Sequence, residues 1–231
     1  MKRDLRTVED VFRMLDGWFA TDAAKWDQFY ADRERPIPFF VDKPDESLAS
    51  WLADGTLPPG KALDLGCGPG RNAIALARAG FEVDAVDLST SAIDWARTRA
   101  AEAGVEVRFH QADIFTVQLP HERYDLVYDS GCLHHLPPHR RVSYRELLDR
   151  VLEPGGHLGL TCFAAGAMGS ERSDEELYRG GTLEGGLAYD ADALRWIFAD
   201  YTEVELRPMV DQPEDAETFG EDFLLTALFR R

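Results

Sequence analysis

The feature that most narrows the fold is a run of glycines set between a short apolar stretch and a helical one. Residues 62–65 are largely apolar, Gly66-Cys67-Gly68-Pro69-Gly70 follows at once, and Arg71-Asn72-Ala73 opens the next segment. A strand that turns through glycines into a helix is the start of a β-α unit, where glycine lets a ligand lie against bare backbone. The spacing is G-x-G-x-G. A dinucleotide site has G-x-G-x-x-G, one residue longer, with the pyrophosphate on the helix N-terminus. Glycine turns also serve as plain helix entries, so the surroundings of this one carry the argument.

Those surroundings repeat the alternation. Residues 82–86 read as a strand, and 91–103 as a helix with Ile93, Ala96, Ala100 and Ala103 on one face and Gly104 as its stop. Residues 105–109 and 124–128 read as strands. Tyr144, Leu147, Leu148 and Val151 mark a helix ended by Pro154-Gly155-Gly156, and 157–163 is the next strand. The glycine-rich stretch 164–189 reads as a loop, in which Tyr178 and Tyr189 form either a lid or part of a solvated surface. Leu194, Ile197, Phe198 and Tyr201 mark a further helix, and strands near 203–206 and 223–229 follow. The pattern predicts an α/β fold: a doubly wound, mostly parallel sheet with helices on both faces.

Before Gly60 the texture is helical. Val8, Val11, Phe12, Leu15 and Phe19 share one helix face, with Thr7 and Asp10 spaced as a capping box. Trp26, Phe29 and Tyr30 mark a second helix, stopped by Pro36 and Pro38, and Leu48, Trp51 and Leu52 a third. The expectation is an N-terminal helical cover over 1–59 and one compact domain over 60–231.

The formal charge of −17 repels phosphate backbones and anionic membrane surfaces. The first twenty residues lack the apolar core of a signal peptide, and no run approaches the ~18 apolar residues that span a bilayer. Cys67, Cys132 and Cys162 are odd in number and far apart, which reads as reduced thiols. A cytoplasmic protein without nucleic-acid or membrane partners is expected.

Five motifs in order resemble the class I S-adenosylmethionine-dependent methyltransferases. Asp64 through Gly70 resembles their first motif. Asp87, seventeen residues past Gly70, ends the next strand; Gln111-Ala112-Asp113-Ile114 follows the third; residues 124–129 resemble the fourth motif; and Leu152-Glu153-Pro154-Gly155-Gly156 resembles the turn before the fifth strand. Taken singly, Asp84, Asp87 and Asp113 also read as solvated or turn-forming acids; the joint order carries the resemblance. It implies a seven-stranded Rossmann-like sheet in order 3-2-1-4-5-7-6 with the seventh strand antiparallel. It also implies cofactor contacts from Asp64, Gly66, Gly68, Gly70 and Asn72, from Asp87 and Leu88 at the ribose, and from Asp113 and Ile114 at adenine. Asp129 and Ser130 complete the set, with Asp129 at the cofactor's ammonium.

Gly70-Arg71-Asn72-Ala73 and residues 85–93 resemble tellurite-resistance methyltransferases. Trp26 and Tyr30, followed by Pro38-Phe39-Phe40, are similar to the aromatic cover of thiopurine and halide/thiol methyltransferases, which implies that Trp26 and Tyr30 also meet the cofactor. Ser130 stands where thiopurine enzymes carry arginine, which argues against an anionic thiopurine-like substrate. Residues 129–132 depart from the Asp/Asn-Pro-Pro-aromatic motif of DNA amino-methylating enzymes, and Pro137-Pro138 reads as a helix start. His134-His135 and His139 lack a partner carboxylate or cysteine pair at metal-ligand spacing, so no metal is expected. His134 reads either as a general base, with His135 the alternative, or as a structural histidine. The implied function is methyl transfer to a small molecule (a thiol, halide, metalloid, or natural-product hydroxyl or amine) by a monomer or homodimer, with S-adenosylhomocysteine as product. A non-catalytic, cofactor-binding regulatory protein is the alternative.

Overall fold

The apolar runs pair side by side. In the computed structural model, which describes residues 4–19 and 23–231, a seven-stranded sheet has the order β3-β2-β1-β4-β5-β7-β6. The strands are β1 (Lys61–Leu65), β2 (Glu82–Asp87), β3 (Arg108–Gln111), β4 (Tyr124–Ser130), β5 (Leu152–Phe163), β6 (Thr202–Pro208) and β7 (Leu224–Arg230). β7 runs antiparallel to β5 and β6, and the other pairs are parallel. Register aligns the carboxyl ends: Leu65 faces Val86 and Asp129, and Ser130 faces Thr161. One rim therefore carries Asp87, Ser130 and Thr161.

Strands buried on both faces read as continuous apolar runs, because helices cover each side. Leu63, Leu65, Val127 and Leu158 pack on one face with Tyr144, Leu147 and Leu148 of α6 (Arg140–Val151). Ala62, Val83 and Tyr128 pack on the other with Leu76 of α4 (Arg71–Arg78) and Ile93 of α5 (Thr90–Ala103).

The same layer contains Leu48 and Trp51 of α3 (Glu46–Ala53), both essentially unexposed. Burying a large apolar side chain stabilises by about 1.5–3 kcal/mol, so α3 is core. Backbone bonds from Glu46 to the Phe219 carbonyl and from Phe219 to the Pro44 carbonyl tie its entry to the body, at 2.8 and 2.7 Å. Leu48 and Trp51 thus join residues ahead of 59 to this packed layer.

Upstream, α1 (Val8–Asp16) begins with the Thr7–Asp10 capping box, and α2 (Ala23–Ala31) packs on α5 through Tyr30, Phe40, Ala92 and Trp95. Residues 1–3 and 20–22 of the expected cover lie outside the described residues.

Three elements depart from the sequence reading. β5 begins at Leu152 and not 157, taking in the Pro154-Gly155-Gly156 turn. β3 begins at Arg108 and not 105, because Gly104 adopts a left-handed C-cap and Val105 still bonds back to the Ala100 carbonyl. The stretch 164–189 holds α7 (Asp174–Gly180), whose start is a second capping box, Ser173 with Glu176. That signal is written in the sequence. Tyr189 is buried, and the Tyr178 hydroxyl accepts from the His139 backbone at 3.1 Å, so neither is a solvated loop residue. The last helix, α8 (Ala191–Ile197), precedes β6. No helix among the described residues is long and apolar enough to cross a membrane.

Candidate functional site

The β1–α4 loop bends sharply because Gly66 and Cys67 both donate to the Val86 carbonyl, at 2.8 and 3.0 Å. Gly66 has φ 67°, and a Cβ there would stand 2.7 Å from the Cys132 Cβ. Gly68 has φ 50°, and a Cβ would stand 3.0 Å from the Tyr30 hydroxyl. Both positions need glycine for conformation and for room. The loop borders a cavity of about 670 Å³ at the carboxyl ends of the strands, where doubly wound sheets bind ligands.

One wall follows β2 and β3. The Asp87 carboxylate accepts from Gly68 N–H at 2.9 Å with Oδ2 and from Ser89 N–H at 2.8 Å with Oδ1. Burial raises its pKa, against these two donors. Asp113 accepts from Phe115 N–H at 2.8 Å and stands beside Ile114. Asp87, Leu88, Asp113 and Ile114 all line the cavity, as do Gly66, Gly68, Trp26 and Tyr30.

The other wall follows β4 and β5. Arg71, at the start of α4, is 8% exposed and pairs with the fully buried Asp45 at 2.6 Å. It also donates to the Ser130 hydroxyl at 3.0 Å and lies over the Phe219 ring at 4.4 Å. Asp45 in turn accepts from Tyr128 at 2.7 Å and Asn72 at 3.1 Å. Arg71 lines the cavity with Ser130, Thr161, Phe163, Phe219 and Phe223. The sequence reading gave neither Arg71 nor Asp45 a role; Arg71 lay in plain view in the motif, whereas Asp45 carried no signal.

Four expected cofactor residues do not line the cavity: Asp64, buried beneath the glycine loop, and Asp129, Asn72 and Gly70. Asp129 is fully buried and closes the turn after β4, accepting from Cys132 N–H, Leu133 N–H and the Tyr144 hydroxyl at 2.8, 3.1 and 2.8 Å. Burial pushes its pKa up to about 7. With both oxygens taken it does not face a ligand's ammonium. Asn72 is spent on Asp45, and Gly70 packs against Ala96 and Phe109 at the α4 entry.

His134 lines the cavity on a 3-10 turn (Leu133–His135), nearly buried. Its ring stacks on Phe163 with centroids 3.7 Å apart, and Nδ1 accepts from Phe163 N–H at 3.2 Å. Burial, and then His135, hold its pKa well below the usual histidine value. A ring whose Nδ1 is already occupied and whose charged form is disfavoured is a poor proton acceptor, which argues against a general-base role. His135 is pushed down to about 4 by burial and Lys25, and stands edge-on to Trp26.

The lining fits the cofactor that the resemblance implies. Each Asp87 oxygen accepts one backbone N–H and keeps a second lone pair for a hydroxyl. Beneath the loop, Asp64 is buried with Oδ2 lacking any hydrogen-bond partner, and burial together with the Asp129 charge raises its pKa to about 8. An orphaned carboxyl oxygen under a glycine cradle is suited to a cationic ligand group.

Residues 62–156 match the family model described as a methyltransferase domain. An uncharacterized methyltransferase of Mycobacterium tuberculosis is 36% identical over 119 residues, 51% of this chain and 58% of that protein. The chain thus spans less than two thirds of that curated relative's length. Among solved structures, one titled for conversion of a disulfide bond into a thioacetal group during echinomycin biosynthesis has a TM-score of 0.71 at 25% identity, covering 90% of this chain and 91% of its own. Magnesium protoporphyrin IX methyltransferase from Synechocystis, with bound S-adenosylhomocysteine, has a TM-score of 0.62 at 21% identity, covering 95% and 98%.

Proposed function

We propose that the chain, whose residues 62–156 match a methyltransferase domain, is a class I S-adenosylmethionine-dependent methyltransferase that transfers the cofactor's methyl group to a small, largely apolar acceptor. The observation that carries this reading is the continuity of the cavity: the polar Asp87–Asp113 wall and the aromatic Phe163–Phe223 wall enclose one space of about 670 Å³. That volume suits a small-molecule site.

When bound, the cofactor supplies an electrophilic methyl on a positively charged sulfur. Asp87 accepts the ribose hydroxyls with the lone pairs that Gly68 and Ser89 leave open. Asp113 and Ile114 take the adenine amine and ring face, and Asp64 serves the methionine end. Trp26 and Tyr30 of α2, with Phe39 behind them, exclude water from one side of the cavity, so the N-terminal helices act as a cover. In-line displacement depends on that exclusion and on alignment of donor and acceptor. Phe163, Phe219, Phe223 and Met168 suit the flat apolar body of an aromatic or heteroaromatic thiol or hydroxyl compound.

Calorimetry with S-adenosylmethionine and S-adenosylhomocysteine, followed by labelled methyl transfer to a panel of thiols, phenols, amines and halides, tests the reading. Binding of both, with transfer to an aromatic thiol or phenol, is expected. Binding without transfer to any acceptor class would point to the regulatory alternative, and no binding would overturn both.

A further inference from the structure

How the acceptor is held follows from His134, on the premise of the methyl-transfer reading above. Phe163 N–H points at Nδ1 from 3.2 Å, and the His134 carbonyl accepts from Leu187 N–H at 2.7 Å. The ring lies almost flat on Phe163, with planes 13° apart. A backbone amide can only donate, so Nδ1 must present a bare lone pair, and the neutral ring carries its proton on Nε2. Flipping the ring would set a carbon against Phe163 N–H and leave that amide without an acceptor. Nε2 itself has no partner among the described residues, and the residue lines the cavity.

The neighbourhood has the same character. The Ser130 hydroxyl accepts from Arg71 at 3.0 Å, which leaves its own proton to donate. The carboxylates of this wall, Asp45 and Asp129, are fully buried and committed to Arg71 and to the turn after β4. Phe163 and Leu187, packed on the ring and its backbone, bring no charge. On its own turn His135 is held neutral by burial and Lys25, and burial pushes the Cys132 thiol up, so both stay uncharged at neutral pH. Asp16, across the cavity, is held ionised by His139 and Arg140 despite partial burial.

We propose that His134 is a fixed hydrogen-bond donor to an anionic oxygen or sulfur of the acceptor, so that the site selects acceptors that ionise before transfer and works without a side-chain base. The acceptor loses its proton to water. Its lone pair then forms the bond to the methyl carbon as the carbon–sulfur bond of the sulfonium breaks, and that electron pair stays on sulfur. A donor to the ionised form favours ionisation, so His134 lowers the pKa of the bound acceptor.

The test has two readouts. Long-range proton–nitrogen correlation NMR on histidine-labelled full chain should show His134 as the neutral Nε2–H tautomer throughout the neutral pH range. A proton on Nδ1, or an imidazolium, would overturn the proposal whatever the activity. Next, para-nitrophenol is titrated by absorbance into the chain saturated with S-adenosylhomocysteine, for the native chain, His134→Gln and His134→Ala. Loss of a hydrogen bond to a charged group should make the bound phenol about tenfold harder to ionise in His134→Ala, and His134→Gln, which keeps an N–H donor, should recover most of it. Equal ionisation in all three overturns the donor role. If the phenol fails to bind while S-adenosylhomocysteine binds, the anionic acceptor class falls; if S-adenosylhomocysteine also fails to bind, the methyl-transfer reading fails, while the NMR result still decides the tautomer.

Discussion

The two walls of the cavity are built by opposite means. On the β2–β3 side, Asp87 and Asp113 sit at or just past their strand ends and are held by amides two residues on, or by the adjacent glycine loop. On the β4–β5 side, Asp45 meets Tyr128 from 83 positions away and Thr161 from 116. A local wall survives changes elsewhere and leaves its acids facing the cavity. A wall of remote parts is itself part of what holds the fold together. Substitutions should therefore cost binding on the first side and stability on the second.

The largest expected effect is on the remote wall. Asp45→Ala leaves the Arg71 guanidinium buried and unpaired, which costs about 3–5 kcal/mol. Urea unfolding measures it, and a loss below about 1 kcal/mol would erase the contrast between the walls. On the local wall, Asp87→Ala should weaken S-adenosylmethionine binding at least tenfold, since a hydrogen bond to a charged group contributes ~1.5–3 kcal/mol. Its unfolding midpoint should fall less than that of Asp45→Ala. Unchanged affinity by calorimetry in a folded variant would remove Asp87 from the site.

Gly68→Ala joins the two kinds of effect. A left-handed backbone costs a β-carbon residue roughly 1–2 kcal/mol, and the new methyl crowds the Tyr30 hydroxyl at 3.0 Å. Thermal unfolding should register the first and weakened cofactor binding the second; a neutral result in both would mean the loop gives way easily.

The smallest effect concerns the α1 clasp, where Asp16 bonds His139 at 2.8 Å and pairs with Arg140. Burial raises the Asp16 pKa, but those two donors outweigh it and bring the carboxyl to about 2, below the ordinary 3.8. A depressed carboxyl stabilises the fold above about pH 3.8, and that share fades as pH falls toward 2. Trp18 stands edge-on to Tyr178, 6.2 Å away, so tryptophan fluorescence should report release of the clasp in that window. Asp16→Asn should flatten the change, and an identical acid titration would show that the clasp carries no ionic share.

The same contrast explains which parts were legible in the amino-acid order. The α1 capping box is legible in Thr7 and Asp10, and an equally plain one at Ser173 and Glu176 lies inside a stretch whose glycines and polar residues otherwise read as a loop. Asp87, Asp113 and Ile114 were legible because strand ends and turns follow each other within a few residues. Asp129 and Asn72 occupy motif positions just as regular, yet Asp45 claims Asn72, and Asp129 is taken by the amides of its own turn together with Tyr144.

By itself the sequence determined the α/β class, the place of the glycine loop and the acids that follow β2 and β3. Period-two and helical patterning and positive-φ turns are properties of neighbouring residues, and they survive in any arrangement of the remaining chain. The tertiary structure alone decided that α3 is packed into the core, that Arg71 is anchored by Asp45, and that the His134 ring turns Nδ1 to the Phe163 N–H. A polar side chain states only how many hydrogen bonds it can make. Which of them remain open to a ligand depends on the partners that packing brings against it, and for Asp129, Asn72 and His134 those partners come from α6, the approach to α3 and the end of β5.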